Sequence, residues 1–248
     1  MSKSKYITNK KYDKLVTICI PSRNRPQQLA KCIQSIIDTV DNINDVEIIV
    51  RLDNDDFSTW AAMDLLPDVD SVGNPLSLKF IKGSRFGGYV DLWKMDNQIY
   101  HASVGEFQFH LNDDAVISTK GWDTILKNYS GQVCILRCGL LVHDHHGNDL
   151  VNDGVPENIF PMVHTSICDS MGMFGFNTST DKMYDMFREW DPELAINENR
   201  IQLTHMQEVG EHVKDNLPPT NPSDIYNSHN MEKCKQLFKQ IQEGLHNG

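Results

Sequence analysis

The chain has 248 residues, enough for one substantial domain with its own core, and its 40% hydrophobic and 23% charged content is that of an ordinary soluble protein. Its 34 acidic against 23 basic residues give a formal charge of −11, which argues against a nucleic-acid-binding surface, since that needs a basic stripe. No apolar run approaches roughly eighteen residues, and the N-terminus MSKSKYITNKKYDK is polar, so the sequence predicts no membrane span, no secretory signal and a cytoplasmic location.

Residues 1 to 13 read as a loosely held tail, followed by one domain over 14 to 248. Leu15 to Ile20 (LVTICI) is a short, β-branched apolar run of the kind that makes a buried parallel strand. It ends in Pro21-Ser22-Arg23-Asn24-Arg25-Pro26, and Pro26 suits the first turn of a helix. Leu29, Cys32, Ile33, Ile36, Ile37 and Val40 then recur at three and four, which predicts an amphipathic helix. Val46 to Leu52 (VEIIVRL) is the next buried strand, and it runs into Asp53-Asn54-Asp55-Asp56. Strand, helix and strand with polar loops at the strand ends predict an open α/β sheet, in which ligands bind beyond the carboxyl ends of the strands.

Leu78 to Ile81 is a weaker strand, followed by Lys82-Gly83-Ser84-Arg85-Phe86-Gly87-Gly88 and a helix to about Ser103 that buries Leu92, Trp93, Ile99 and Tyr100. The stretch Gly105 to Asp123 (GEFQFHLNDDAVISTKGWD) alternates Phe107, Phe109 and Leu111 with Gln108 and His110, the period of a strand, and then delivers Asn112, Asp113 and Asp114 together. Adjacent acids repel unless a cation or donor groups compensate, and oxygen-rich sites suit Mg²⁺ or Mn²⁺. A solvated acidic turn is the competing reading.

Trp122, Ile125 and Leu126 begin a short helix, and Val133 to Arg137 and Leu140 to Val142 read as strands. His143, Asp144, His145 and His146 form a histidine-rich cluster with His143 and His145 on one strand face; the Gly147-Asn148-Asp149 that follows favours a polar hairpin turn over a metal centre. Met183, Tyr184, Phe187 and Trp190 predict a helix capped by Thr180, and Arg200 to Thr204 a strand. Asn216 to Asn227 reads as a surface loop, and Met231, Cys234, Leu237, Phe238 and Ile241 mark a terminal helix. The six cysteines lack any paired CxxC pattern and sit among apolar neighbours, which predicts free buried thiols rather than disulfides or a metal site.

Three stretches in one order, VTICIPSRNRP, EIIVRLDNDD and GEFQFHLNDDAVISTKGWD, resemble the GT-A glycosyltransferases, in particular family 2-like enzymes and a subgroup common in phage genomes. The resemblance covers residues 14 to 126 and thins beyond them. It implies a GT-A fold, a Rossmann-like, mostly parallel central sheet flanked by helices in a single domain. The nucleotide-binding half would span about 14–126 and the acceptor-side half about 127–248. The implied activity is transfer of a sugar from a nucleotide-sugar donor, UDP-linked in preference, to a glycan, lipid or other hydroxyl acceptor, with inversion.

By the same resemblance Asp114 is the direct ligand of Mn²⁺ or Mg²⁺, with Asp113 and Asn112 contacting donor or metal-bound water; Asn112 stands where the family's Asp-x-Asp motif has its first acid. Pro21, Ser22 and Arg23 would line the nucleotide, Asp53 would accept from the base, Asp55 and Asp56 lie near it, and Arg85 would reach the diphosphate. His205 matches the family's late metal-binding histidine, with His212 second. Asp181 and Asp169 are the candidates for the general base that deprotonates the acceptor, and Trp122 for stacking on a sugar. A nucleotidyltransferase-like enzyme, a metal hydrolase built on the HDHH segment and a non-catalytic nucleotide- or sugar-binding relative are the alternatives. Oligomeric state is not read from the sequence.

Overall fold

The computed structural model describes residues 4–69, 73–87, 91–143, 149–150, 159–206 and 225–247. The first half follows the apolar pattern closely. β1 (Lys14–Ser22) is buried along almost its whole length and leads to α1 (Pro26–Thr39), which starts on its proline and buries Leu29, Cys32, Ile33, Ile36 and Ile37. β2 (Val46–Asp53) is buried throughout, and the short α2 (Phe57–Ala61) follows it. β3 (Leu78–Gly83) is only partly covered, as an edge strand should be. α3 (Leu92–Ala102) turns Met95, Asp96 and Ile99 inward and feeds β4 (Gly105–His110).

The second half comprises β5 (Ala115–Ile117), α4 (Trp122–Lys127), β6 (Ile135–His143), β7 (Asp149–Leu150), β8 (Met162–His164), α5 (Thr165–Met171), α6 (Thr180–Trp190), β9 (Ala195–Met206) and α7 (Ser228–Asn247). The two strands expected over 133–137 and 140–142 are one strand, whose pairing with β9 shifts register between Cys138 and Gly139. β9 is longer than the expected 200–204. Thr180 is not the cap of α6: Ser179 holds that position, and the Thr180 hydroxyl instead donates to the carbonyl of Asn177. His145, His146, His212, Gly88 and most of the loop expected at 216–227 lie outside the described residues.

One sheet runs in the order β3-β2-β1-β4-β8-β6-β9-β5, with β7 paired to β6. β3, β2, β1 and β4 are parallel, so their carboxyl ends share one edge. β8 is antiparallel to both β4 and β6, and β6 is parallel to β9, so β6 and β9 point the same way as β4. β5 returns antiparallel to β9, with Ala115 opposite His205. This is the expected single-domain α/β architecture. α1 and α4 pack one part of the core with Phe107, Phe109 and Leu111, while α5, α6 and α7 close a second apolar cluster around Phe174, Tyr184 and Phe187. All six cysteines are buried and free.

The N-terminal segment is not loosely held from Ser4 onward. The Ser4 hydroxyl donates to the Val133 carbonyl, Tyr6 donates to Asp191 at 2.7 Å, and Ile7 bridges Gln132. Tyr6 is buried because its ring completes the second apolar cluster.

Candidate active site

The loops that leave the carboxyl ends of β1, β2 and β4 bring their charged residues into contact. Arg23 donates to Asp53 at 2.9 Å and makes two bonds to Asp55, at 2.6 and 3.2 Å. That fork holds the exposed Asp55 carboxyl below the usual aspartate range. Asp53 also accepts from Arg51 at 3.0 Å. Arg51 is fully buried, and its guanidinium lies where a side chain at Gly83 would sit: a Cβ there would come within 2.7 Å of it. Glycine at the end of β3 is what lets that charge reach the site. Arg85 is exposed on the same side and interacts electrostatically with Asp55.

Asp56 is committed elsewhere. It is fully buried, accepts from the Thr59 amide as the N-cap of α2, and accepts from the amide of Asn24, which turns the chain with φ of 56°. Its role is to hold the turn that carries Arg23 and Arg25.

Asp113 and Asp114 follow β4. The Ser22 hydroxyl donates to Asp113 Oδ2 at 2.7 Å, and Arg25 Nη1 lies 3.1 Å from Asp113 Oδ1 and 2.9 Å from Asp114 Oδ2. Burial pushes the Asp113 carboxyl up to about 6 against the pull of Arg25 and Ser22. Burial acts the same way on Asp114, but His205 and Arg25 outweigh it and hold that carboxyl below its usual range. His205 Nε2 is 3.3 Å from Asp114 Oδ1, an oxygen that is buried with no hydrogen-bond partner. The sheet explains the meeting: β5 carries the chain from Asp114 directly alongside His205 on β9.

An orphaned carboxylate oxygen facing an imidazole nitrogen is a mixed oxygen and nitrogen donor pair, which a first-row divalent cation accepts more readily than the oxygen-preferring Mg²⁺. Among the described residues no three such side chains converge as they stand, because Asp113 is turned to Ser22 and Arg25. Asp114 and His205 therefore fit a cation as the core of a site, with Asp113 beside them.

Asp181, in the first turn of α6, faces the same edge. It interacts with His110, the last residue of β4, and burial raises its carboxyl above the usual range. His110 is itself 3.1 Å from Asp96, and that carboxylate outweighs burial and raises the imidazole above its ordinary value, with Asn112 acting in the same direction. Pro21 is buried within β1, so it shapes the loop beside Ser22.

Two expected site residues are elsewhere. Asp169 sits on α5, which begins where β8 ends, and Thr165 donates to the carbonyl of Gly105 at the start of β4. The antiparallel β8 has carried the chain to the opposite end of the sheet, where Asp169 meets Lys10 and Tyr100 beside an open cavity of about 340 Å³. Trp122 is fully buried, its ring 6.4 Å from that of Phe109, and reaches no sugar. Conversely, Arg25, Arg51, His110 and Asp96 belong to the site and were not singled out in the sequence. Arg51 and Asp96 carried a signal, a charge inside an apolar strand and an acid on the Met95–Ile99 face of a helix.

Neither a protein-family model nor a curated protein sequence matches the chain. Solved structures do. The chain is similar to residues 1–349 of S. aureus TarS in complex with UDP-GlcNAc, at a TM-score of 0.62 and 14% identity over 90% of this chain and 66% of that one. It is similar to the same TarS fragment without that ligand at 0.56 and 12%, over 77% of this chain and 60% of that one. A mannosyltransferase from Pyrobaculum calidifontis, PcManGT in complex with GDP-Man and Mn²⁺, gives 0.58 and 12% over 96% of this chain and 78% of that one. The likeness is one of fold, a glycosyltransferase fold, and the chain spans 60 to 66% of the length of these TarS fragments.

Proposed function

We propose that the protein is a nucleotide-sugar glycosyltransferase whose donor lies across the carboxyl ends of β1, β2 and β4. The observation that carries this reading is the convergence of Arg23–Asp53–Asp55, Ser22–Asp113–Arg25 and Asp114–His205 on that one edge. Open α/β sheets bind ligands there, and the fold is shared with proteins solved with UDP-GlcNAc and with GDP-Man.

In this reading the nucleotide base lies over Pro21 to Arg23, and Asp53, which keeps lone pairs beyond those given to Arg23 and Arg51, accepts from it. A uracil imide offers such a donor, so UDP is favoured. Arg85 reaches for the diphosphate. Mn²⁺ or Mg²⁺, held by Asp114 and His205 with Asp113 and Asn112 beside them, would neutralise the diphosphate as the nucleotide leaves. Asp181 takes the proton of the acceptor hydroxyl, that of a glycan, a lipid or another alcohol; a single displacement of this kind inverts the sugar. Its burial keeps it basic enough for the task.

Calorimetric titration with UDP, GDP and CMP, each with and without Mn²⁺, tests the reading alongside Asp114→Ala. Metal-dependent binding of one nucleotide, lost in the variant, is expected. Absence of binding by every nucleotide under both conditions overturns it.

A further inference from the structure

Arg25 holds the two acids that the metal would need. Its Nη1 reaches both Asp113 Oδ1 and Asp114 Oδ2, and Ser22 takes the other oxygen of Asp113. Of the four carboxylate oxygens, Asp114 Oδ1, which faces His205, is the one that neither Arg25 nor Ser22 takes. The backbone of Arg25 is fixed, because its carbonyl accepts from the Leu29 amide in the first turn of α1 and Pro26 follows it. Its side chain is 29% exposed, so the head can turn outward over the same edge while the backbone stays.

We propose that Arg25 is the resident counter-cation of the Asp113–Asp114 pair: it competes with the divalent cation in the empty enzyme and passes to the donor's diphosphate when metal and donor enter. The inference rests on the functional reading above. A guanidinium and a divalent ion cannot both occupy the space between the two carboxylates, and one of them must balance the charge at every stage. The planar fork that pairs with carboxylates also matches phosphate oxygens, so the exchange keeps Arg25 satisfied.

Titration with Mn²⁺ alone, free Mn²⁺ being followed by electron paramagnetic resonance, separates this from the broader reading. Arg25→Gln should bind Mn²⁺ at least about tenfold tighter than the wild type, as expected when a charge-assisted competitor is removed. Arg25→Lys, which keeps the charge without the fork, should fall between them, and Asp114→Asn in the Arg25→Gln background should abolish the gain. Arg23→Gln removes an equal charge from the same loop but leaves the acid pair alone, so its Mn²⁺ affinity should stay within about threefold of wild type. In saturating Mn²⁺, Arg25→Gln should bind UDP about tenfold more weakly, having lost a diphosphate partner.

Unchanged or weaker Mn²⁺ binding by Arg25→Gln overturns the competition, as does an equal gain from Arg23→Gln. Unchanged UDP affinity overturns the transfer to the diphosphate. A Mn²⁺ gain in Arg25→Gln with no nucleotide bound by any form supports the competition and defeats the glycosyltransferase reading.

Discussion

Asp53, the last residue of β2, and Asp56 stand three residues apart, yet one carboxylate lies between two guanidinium groups and the other is spent on backbone amides. Their substitutions should therefore separate. Asp56→Ala removes an N-cap and the bond that holds Asn24, and should cost about 1–2 kcal/mol in urea unfolding. Asp53→Asn keeps the shape and should lower nucleotide affinity more than stability. Asp181 belongs to a third kind, an acid with few compensating donors whose burial raises its pKa. Below that raised pKa the carboxyl is protonated and cannot accept the acceptor's proton. The acid limb of kcat/KM should thus have its midpoint above the ordinary aspartate value of about 3.9. Asp181→Asn should lower turnover by about 100-fold or more and abolish that limb. Full transfer by the variant across the pH range would assign the base to another residue.

Elements were legible where burial is simple. β1, α1 and β2 announce themselves because strands covered on both faces are apolar along most of their length and α1 buries one stripe. The second half hid its plan in strand direction. β8 is three residues long, and nothing in Met162, Val163 and His164 states that they run against β4, so Asp169 read as a site residue although the reversal puts it at the far end of the sheet. His205 could be singled out because it comes just after the strand expected over 200–204, and the sheet, with β9 running on to Met206, brings it beside Asp114; Arg25 could not, since its meaning depends on where two acids almost ninety residues later arrive. The position of α6 depends on a feature equally silent in sequence. Arg188 is buried and donates to the carbonyls of Ile135 and Ile196, tying the helix to β6 and β9. Arg188→Met should destabilise the fold by about 2–4 kcal/mol, because it strips two carbonyls of a charged donor, and urea unfolding would measure it. As α6 carries Asp181, the folded fraction of that variant should also lose turnover more than it loses nucleotide binding.

At the scale of the molecule, two large apolar clusters pack with the sheet, and the site lies over the carboxyl ends of β1, β2 and β4, strands that contribute to the first of them. The cluster built on α1, β1 and β2 draws about half of its residues from positions 15–66 and the rest from 107–138, 160–162 and 196–203. The other is assembled from α5, α6 and α7 with Val133, Ile135 and Val163 of the sheet side, and it is closed by Tyr6 from the far end of the chain. That closure is specific: the Tyr6 carbonyl accepts from the Val133 amide, the Thr8 amide donates to Gly131, and the Tyr6 hydroxyl donates to Asp191 at the junction of α6 and β9. Tyr6→Phe keeps the ring and removes the hydroxyl that donates to a nearly buried carboxylate, so it should cost about 1.5–3 kcal/mol. Tyr6→Ala also opens a cavity beside Ile135 and Phe187 and should cost about 3–5 kcal/mol. Urea unfolding of both variants measures the two parts. Hydrogen exchange should then quicken in α6 and β9 ahead of β1 and β2, because the loss falls on the cluster that Tyr6 completes. Equal acceleration in both clusters would mean that the sheet couples them into one cooperative unit, and that the N-terminal segment steadies β1 and β2 as much as α6 and β9.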